Sequence, residues 1–138
     1  MTFLKTLASA ALVLGSGAVH AQDSALVLGK STFSARCAIC HGDDGKGGGE
    51  IAGLFSVAPA DLTGLSKRAG GAFPFSETYR NIAEGMDKAG HGDSQMPIWG
   101  EYFIADSLVD RGVTPDDAAH ITQGRILAVV YYLQSIQE

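Results

Sequence analysis

Cys37, Cys40 and His41 form a C-x-x-C-H sequence that can hold a cofactor. The two thiols lie three positions apart, roughly one helical turn, so both can reach the vinyl groups on one porphyrin edge and form thioethers. The histidine that follows lies beneath the iron and can bind it through an imidazole nitrogen. The motif therefore predicts haem c, attached through Cys37 and Cys40, with His41 as an axial ligand.

The same cysteines could instead form a disulfide, as in thioredoxin-like redox motifs, or hold a bare metal ion. The disulfide interpretation requires a βαβ context, and no segment shows the apolar–polar alternation that indicates strands. It also gives His41 no role. Haem attachment is therefore the stronger interpretation.

Four side chains could fill the second axial position on the iron: Met86, Met96, His91 and His120. The distal ligand must come from a separate loop that crosses the opposite face of the ring. Met96 suits this role because Pro97 restricts the backbone of the residue before it and can hold a flexible side chain in place. His91 is the alternative and would give a bis-histidine haem of lower potential.

The first 21 residues are typical of a secretory signal peptide. Lys5 provides the positive start, residues 7–17 are apolar or small, and Val19-His20-Ala21 is a small-x-small cleavage site. The apolar run is shorter than the roughly 20 residues of a membrane-spanning helix, although an uncleaved anchor is an alternative. We expect cleavage after Ala21, export to the periplasm and one domain over residues 22–138.

The chain has a net charge of −5, and Lys5 is the only charged residue in the predicted signal peptide. The mature protein is therefore more acidic still. This charge argues against nucleic acid or an anionic membrane surface as a partner. It favours a soluble protein, expected to be a monomer, that docks onto a basic or neutral redox partner.

Helical periodicity dominates the mature chain and predicts an all-α fold. Thr114 is a candidate N-cap for the clearest helix, with Pro115 at its first position. The glycine-rich loop 45–49 is expected to be a flexible exit from the C-x-x-C-H motif. The predicted helices cover residues 24–39, 61–69, 76–84 and 115–137, with a further turn near residues 99–107.

These features resemble the class I c-type cytochromes over essentially the whole mature chain. Gly29 and Phe33 resemble small and aromatic positions of that family's first helix, and residues 129–133 resemble its closing helix. The resemblance implies a cytochrome c fold, in which the N- and C-terminal helices cross at Gly29 and short helices and loops surround one haem. Residues 41–47 are similar to the loop that follows the C-x-x-C-H motif in that family. Residues 59–63 and 96–100 resemble segments of a bacterial subgroup of small single-haem proteins.

The resemblance also implies roles for individual residues. His41 corresponds to the proximal ligand and Met96 to the distal ligand. Pro59 is the candidate for a proline whose carbonyl accepts a hydrogen bond from the proximal histidine. Trp99 either donates its indole N–H to a haem propionate or packs against the ring.

The resemblance implies an electron carrier that cycles between Fe(II) and Fe(III) and meets its partners through small, weak interfaces. The expected donor is a quinol-oxidising complex or a periplasmic dehydrogenase, and the acceptor a terminal oxidase or reductase. We expect no enzymatic activity, because the sequence shows no nucleophile–base pair and no second metal site. The alternatives are a gas sensor or peroxidase-like protein with a labile sixth ligand, and a cytochrome subunit dedicated to one dehydrogenase.

Overall fold

The computed structural model describes residues 18–85, Gly100, Phe103 and residues 112–138. Its regular elements within these ranges are all helical, which confirms the all-α prediction. None of the described helices is long and apolar enough to cross a bilayer. The elements are α1 (Ala18–Arg36), α2 (Ala38–His41), a 3₁₀ helix (Ala52–Leu54), α3 (Leu65–Arg68), α4 (Phe75–Glu84) and α5 (Pro115–Ser135).

Helix α5 begins as the sequence predicts. The Thr114 hydroxyl accepts a hydrogen bond from the backbone N–H of Asp117 at 3.2 Å, while Pro115 occupies the first helical position. Asp116 and Asp117 place negative charge at the positive N-terminal end of the helix dipole. These contacts fix where α5 starts.

Helices α1 and α5 cross where α1 carries a glycine, and this is the main helix–helix contact among the described elements. A Cβ atom at Gly29 would lie 2.6 Å from the carbonyl carbon of Ala128 and 2.9 Å from Cβ of Tyr132. One turn further on, the fully buried Phe33 ring lies 5.3 Å from the Tyr132 ring. The predicted crossing at Gly29 is confirmed, because only glycine allows the two backbones this close.

Helix α4 packs against the middle of α5 through one apolar face. Its partly buried Phe75, Tyr79 and Ile82 contact a buried cluster formed by Phe103, Ile126 and Val130. A second cluster joins α1 and α5 and contains Phe33, Ala38, Val129 and Leu133. The buried apolar residues of α5 thus pack against both α4 and α1. Ala38 of α2 is also part of the second cluster.

The first predicted helix ends earlier than expected, and α2 follows it after a break. The Cys37 N–H still donates to the Phe33 carbonyl at 2.8 Å. The Cys37 carbonyl then accepts from both Cys40 N–H (3.1 Å) and His41 N–H (2.9 Å), so the chain tightens around this one oxygen. The prediction of one helix over residues 24–39 is therefore wrong at its end, and the chain is already helical at Ala18, the first residue that the structure describes.

The helix predicted over residues 61–69 is also shorter. The Asp61 carboxylate accepts hydrogen bonds from the Thr63 N–H (2.8 Å) and the Thr63 hydroxyl (2.7 Å), which stabilises a turn. Helical structure starts only at Leu65 and ends before Gly70 and Gly71, both with positive φ. Asp61 therefore belongs to the loop that precedes α3.

Two predictions fall largely outside the described residues. Residues 1–17 of the predicted signal peptide lie outside them, and cleavage after Ala21 stays a prediction. In the turn predicted near residues 99–107, only Gly100 and Phe103 are described, and both are helical.

Substitution of Gly29 tests the helix crossing. We expect Gly29→Ala to lower the free energy of unfolding by about 1–3 kcal/mol, because the added methyl group forces α1 and α5 apart. Gly124→Ala is the matched control, since Gly124 lies in α5 with open space around its Cβ position. There the helix propensity of alanine should raise stability by about 0.5–1 kcal/mol. Denaturant unfolding of the holoprotein measures both; equal effects would contradict the close approach.

Candidate haem-attachment site

The C-x-x-C-H motif lies at the junction of α1 and α2. Cys37 is the residue between the helices, Cys40 lies inside α2 and His41 is its last residue. Gly42 ends the helix directly after His41, because its positive φ of 79° is a conformation that favours glycine. The short helix keeps the three functional side chains within one turn of each other.

Both cysteines are free thiols, and their surroundings disfavour the thiolate form. Burial, with a smaller contribution from the nearby Cys40, raises the pKa of the Cys37 thiol to about 12. Burial also raises the pKa of the Cys40 thiol above its ordinary value. Neutral thiols suit thioether formation, because a thiol adds its S and its H across a vinyl double bond.

The His41 ring is held by a backbone carbonyl 19 residues further along the chain. Its Nδ1 lies 2.9 Å from the carbonyl oxygen of Ala60. A carbonyl can only accept, so Nδ1 carries the hydrogen and Nε2 keeps its lone pair. Burial lowers the pKa of His41, partly opposed by the Ala60 hydrogen bond. The neutral ring therefore presents Nε2 as a donor for iron.

The acceptor for His41 is not the residue predicted from the family pattern. Pro59 was the candidate, but the hydrogen bond goes to the carbonyl of the next residue, Ala60. The carbonyl oxygen of Pro59 instead lies against the backbone of Gly47, where any Cβ would overlap it. The prediction for the Pro59 carbonyl is therefore wrong by one residue, because successive peptide carbonyls point in different directions.

The glycine-rich loop after the motif packs closely against it and is not a free exit. The Gly49 N–H donates to the Cys40 carbonyl at 3.0 Å, and a Cβ on Gly49 would lie 2.6 Å from the Ala38 carbonyl oxygen. The Gly47 N–H similarly donates to the His41 carbonyl at 2.7 Å. Gly49 therefore provides clearance for backbone contact with the cofactor motif, and Gly47 provides it for contact with the Pro59 peptide. The density of glycine in this loop reflects close backbone packing, so the expected flexible exit is wrong.

Of the candidates for the second axial ligand, only one lies within the described residues. His120 is described and exposed on α5. Met86, His91, Met96 and Trp99 lie outside the described residues, and their roles stay predictions. Ala60 is a functional residue that sequence reasoning missed, since its contribution is a backbone carbonyl and carries no side-chain signal.

The site and the fold together define an all-α protein that holds haem c. Two neutral thiols and one imidazole with a free Nε2 fit covalent haem attachment through Cys37 and Cys40. A family model for Cytochrome c matches residues 26–137, most of the chain. The chain therefore belongs to the cytochrome c family and is a haem-based electron carrier. A comparison with curated proteins gives no match.

Neighbouring glycines allow a sharp test of the loop that encloses the motif. We expect Gly49→Ala to destabilise the holoprotein by about 1–3 kcal/mol, because the added methyl overlaps the α2 backbone and pushes the loop from Cys40. Gly48→Ala is the control, because nothing lies within 4 Å of its Cβ position. Denaturant unfolding of the two purified variants gives the comparison. A Gly49→Ala protein as stable as Gly48→Ala would rule out the close contact.

Proposed function

We propose that this chain is a periplasmic electron carrier whose single haem c is ligated by His41 and Met96. The observation that carries the proposal is the His41 ring, which Ala60 holds with Nε2 free for the iron. Haem iron, when bound, supplies the one-electron Fe(II)/Fe(III) couple. The chain's own residues attach the porphyrin, orient one axial ligand and supply the other.

Met96 is proposed as the second ligand on sequence grounds. It lies in the sequence between α4 and α5, on a segment separate from the C-x-x-C-H motif, as a distal ligand requires. A thioether ligand favours Fe(II) over Fe(III) and raises the potential. It also occupies the position that an exogenous ligand would need. Such a site exchanges electrons and does not activate small molecules, which is why we propose no enzymatic activity.

Export is proposed from the signal-peptide pattern of residues 1–21. The family match starts at residue 26, after the predicted cleavage site, which supports a functional domain that begins there. Haem c attachment also suits an exported protein. The proposed donors are a quinol-oxidising complex or a periplasmic dehydrogenase, and the acceptors a terminal oxidase or reductase.

Exposed apolar side chains next to the motif suggest where such partners dock. Ile39 lies between the two cysteines and is 49% exposed, and Leu54 on the adjoining 3₁₀ helix is 81% exposed. The Ile51 N–H donates to the Ile39 carbonyl at 3.1 Å, which holds the 3₁₀ helix next to α2. An exposed apolar centre fits the brief contacts of redox partners.

Removal of the distal ligand tests the proposed ligation. In the native protein we expect low-spin spectra, a weak far-red band of methionine-ligated Fe(III) and no reaction of the reduced form with CO. Met96→Ala should lose the far-red band and bind CO, because it opens the sixth position. Met86→Ala and His91→Ala are matched controls, which should keep the far-red band and should not bind CO. Rapid CO binding by the native protein would instead favour the sensor or peroxidase-like alternative.

The acidic residues that follow the motif predict how electron-transfer rates respond to salt. Asp43, Asp44 and Glu50 are exposed there, whereas Lys46 pairs with Glu138 at 2.8 Å. We expect oxidation by the cation tris(phenanthroline)cobalt(III) to slow as ionic strength rises, and oxidation by the anion hexacyanoferrate(III) to accelerate.

Stopped-flow measurements over a salt series give the dependence of each oxidation rate on ionic strength. Glu50→Gln should weaken both dependences more than Glu77→Gln, which removes the same charge from α4. Slopes of the opposite sign, or equal effects of the two variants, would count against an acidic docking edge beside the motif.

A further inference from the structure

Residues 60–63 present four consecutive backbone carbonyls, and each accepts a hydrogen bond from a different donor. Such complete pairing holds a loop segment in one conformation, although the segment lies outside any helix. The first of the four is the acceptor for the proximal histidine. The donors are the His41 ring for Ala60 (2.9 Å), the Arg68 guanidinium for Asp61, the Gln137 amide for Leu62 (2.8 Å) and the Glu138 N–H for Thr63 (3.0 Å).

Two of these four donors are the last two residues of the chain. The partly buried Gln137 makes three hydrogen bonds with its side-chain amide. Its Nε2 donates to the carbonyls of Leu62 (2.8 Å) and Leu133 (2.7 Å), and its Oε1 accepts from the Ser66 N–H at 2.8 Å. Gln137 therefore connects the end of α5 with the loop that leads into α3, at Leu62, and with the start of α3, at Ser66.

The same loop is tied to the segment that leaves the haem motif. The Leu62 N–H donates to the Gly45 carbonyl at 2.7 Å. The Glu138 carboxylate pairs with Lys46 at 2.8 Å, although both side chains are largely exposed and the pair adds little. The partly buried contacts of Gln137 are thus the stronger connection between the C-terminus and the loop.

We infer that Gln137 is a positioning residue for the proximal histidine. By fixing the Leu62 carbonyl and the Ser66 N–H, it holds the loop so that the Ala60 carbonyl stays at Nδ1 of His41. The inference rests on the proposed function, since it concerns the ligand that His41 provides to iron. Nothing in the sequence near residue 137 indicates this role, because Gln137 lies 96 residues after His41.

The physical consequence is an effect on the reduction potential. A hydrogen bond from Nδ1–H to a carbonyl makes the imidazole a stronger donor through Nε2, which favours Fe(III). Loss of the Gln137 bonds lets the loop move and lengthens or breaks the Ala60 contact. The weaker donor then favours Fe(II), so the midpoint potential rises.

The test compares Gln137→Met with Gln134→Met in the holoprotein. Both substitutions replace an amide by an apolar side chain of similar length, but Gln134 is exposed on α5. For Gln137→Met we expect a higher midpoint potential. We also expect hydrogen exchange at least tenfold faster at the Ser66 N–H and the His41 ring N–H. Gln134→Met should change none of these.

Gln137→Glu provides a second variant that keeps the size and the acceptor oxygen. This variant retains the bond from the Ser66 N–H but cannot donate to Leu62. We therefore expect its midpoint potential to lie between that of the native protein and that of Gln137→Met. A lower unfolding free energy with potential and ring exchange unchanged in both variants would overturn the inference and leave Gln137 a purely structural residue. A native protein without a reversible one-electron titration would count against the proposed function instead, while the exchange rates would still report on Gln137.

Discussion

The hydrogen bond between Nδ1 of His41 and the Ala60 carbonyl is the contact on which the site depends. It selects the tautomer, orients the ring and leaves Nε2 as the only nitrogen available to iron. A covalent attachment through two thioethers fixes only one edge of a porphyrin. The orientation of the axial imidazole must come from the protein, and here it comes from a backbone group outside the C-x-x-C-H motif.

The rest of the described fold can be understood as the support for that contact. The crossing of α1 and α5 at Gly29 places the start of the motif beside the C-terminal helix. Gly47 and Gly49 let the loop after the motif lie directly against α2 and the Pro59 peptide. The C-terminal residues Gln137 and Glu138 donate hydrogen bonds to the loop that contains Ala60. Helix α1 and the C-terminal residues therefore both contribute to the geometry of the His41 ligand.

Sequence patterns predicted the parts of this molecule that depend on side-chain identity. Thr114 as an N-cap follows from local rules, the glycine at the helix crossing follows from the family resemblance, and the structure confirms both. The patterns failed where backbone groups decide the outcome. The acceptor at Ala60 and the break at Cys37 depend on the orientation of peptide groups, which no residue type marks in the sequence. The Asp61 turn depends instead on the Asp61 carboxylate, a side-chain signal for a turn that competes with the helical pattern over residues 61–69.

The most direct test of this account is a proton NMR spectrum of the reduced holoprotein, with the ligand signals assigned. We predict a three-proton methionine methyl signal shifted far upfield by the porphyrin ring current. We also predict a slowly exchanging His41 ring N–H that shows a nuclear Overhauser effect to the Ala60 region. A second histidine with ring-current-shifted signals and no shifted methionine methyl would contradict His41/Met96 ligation. A rapidly exchanging His41 ring N–H would contradict its anchoring by Ala60.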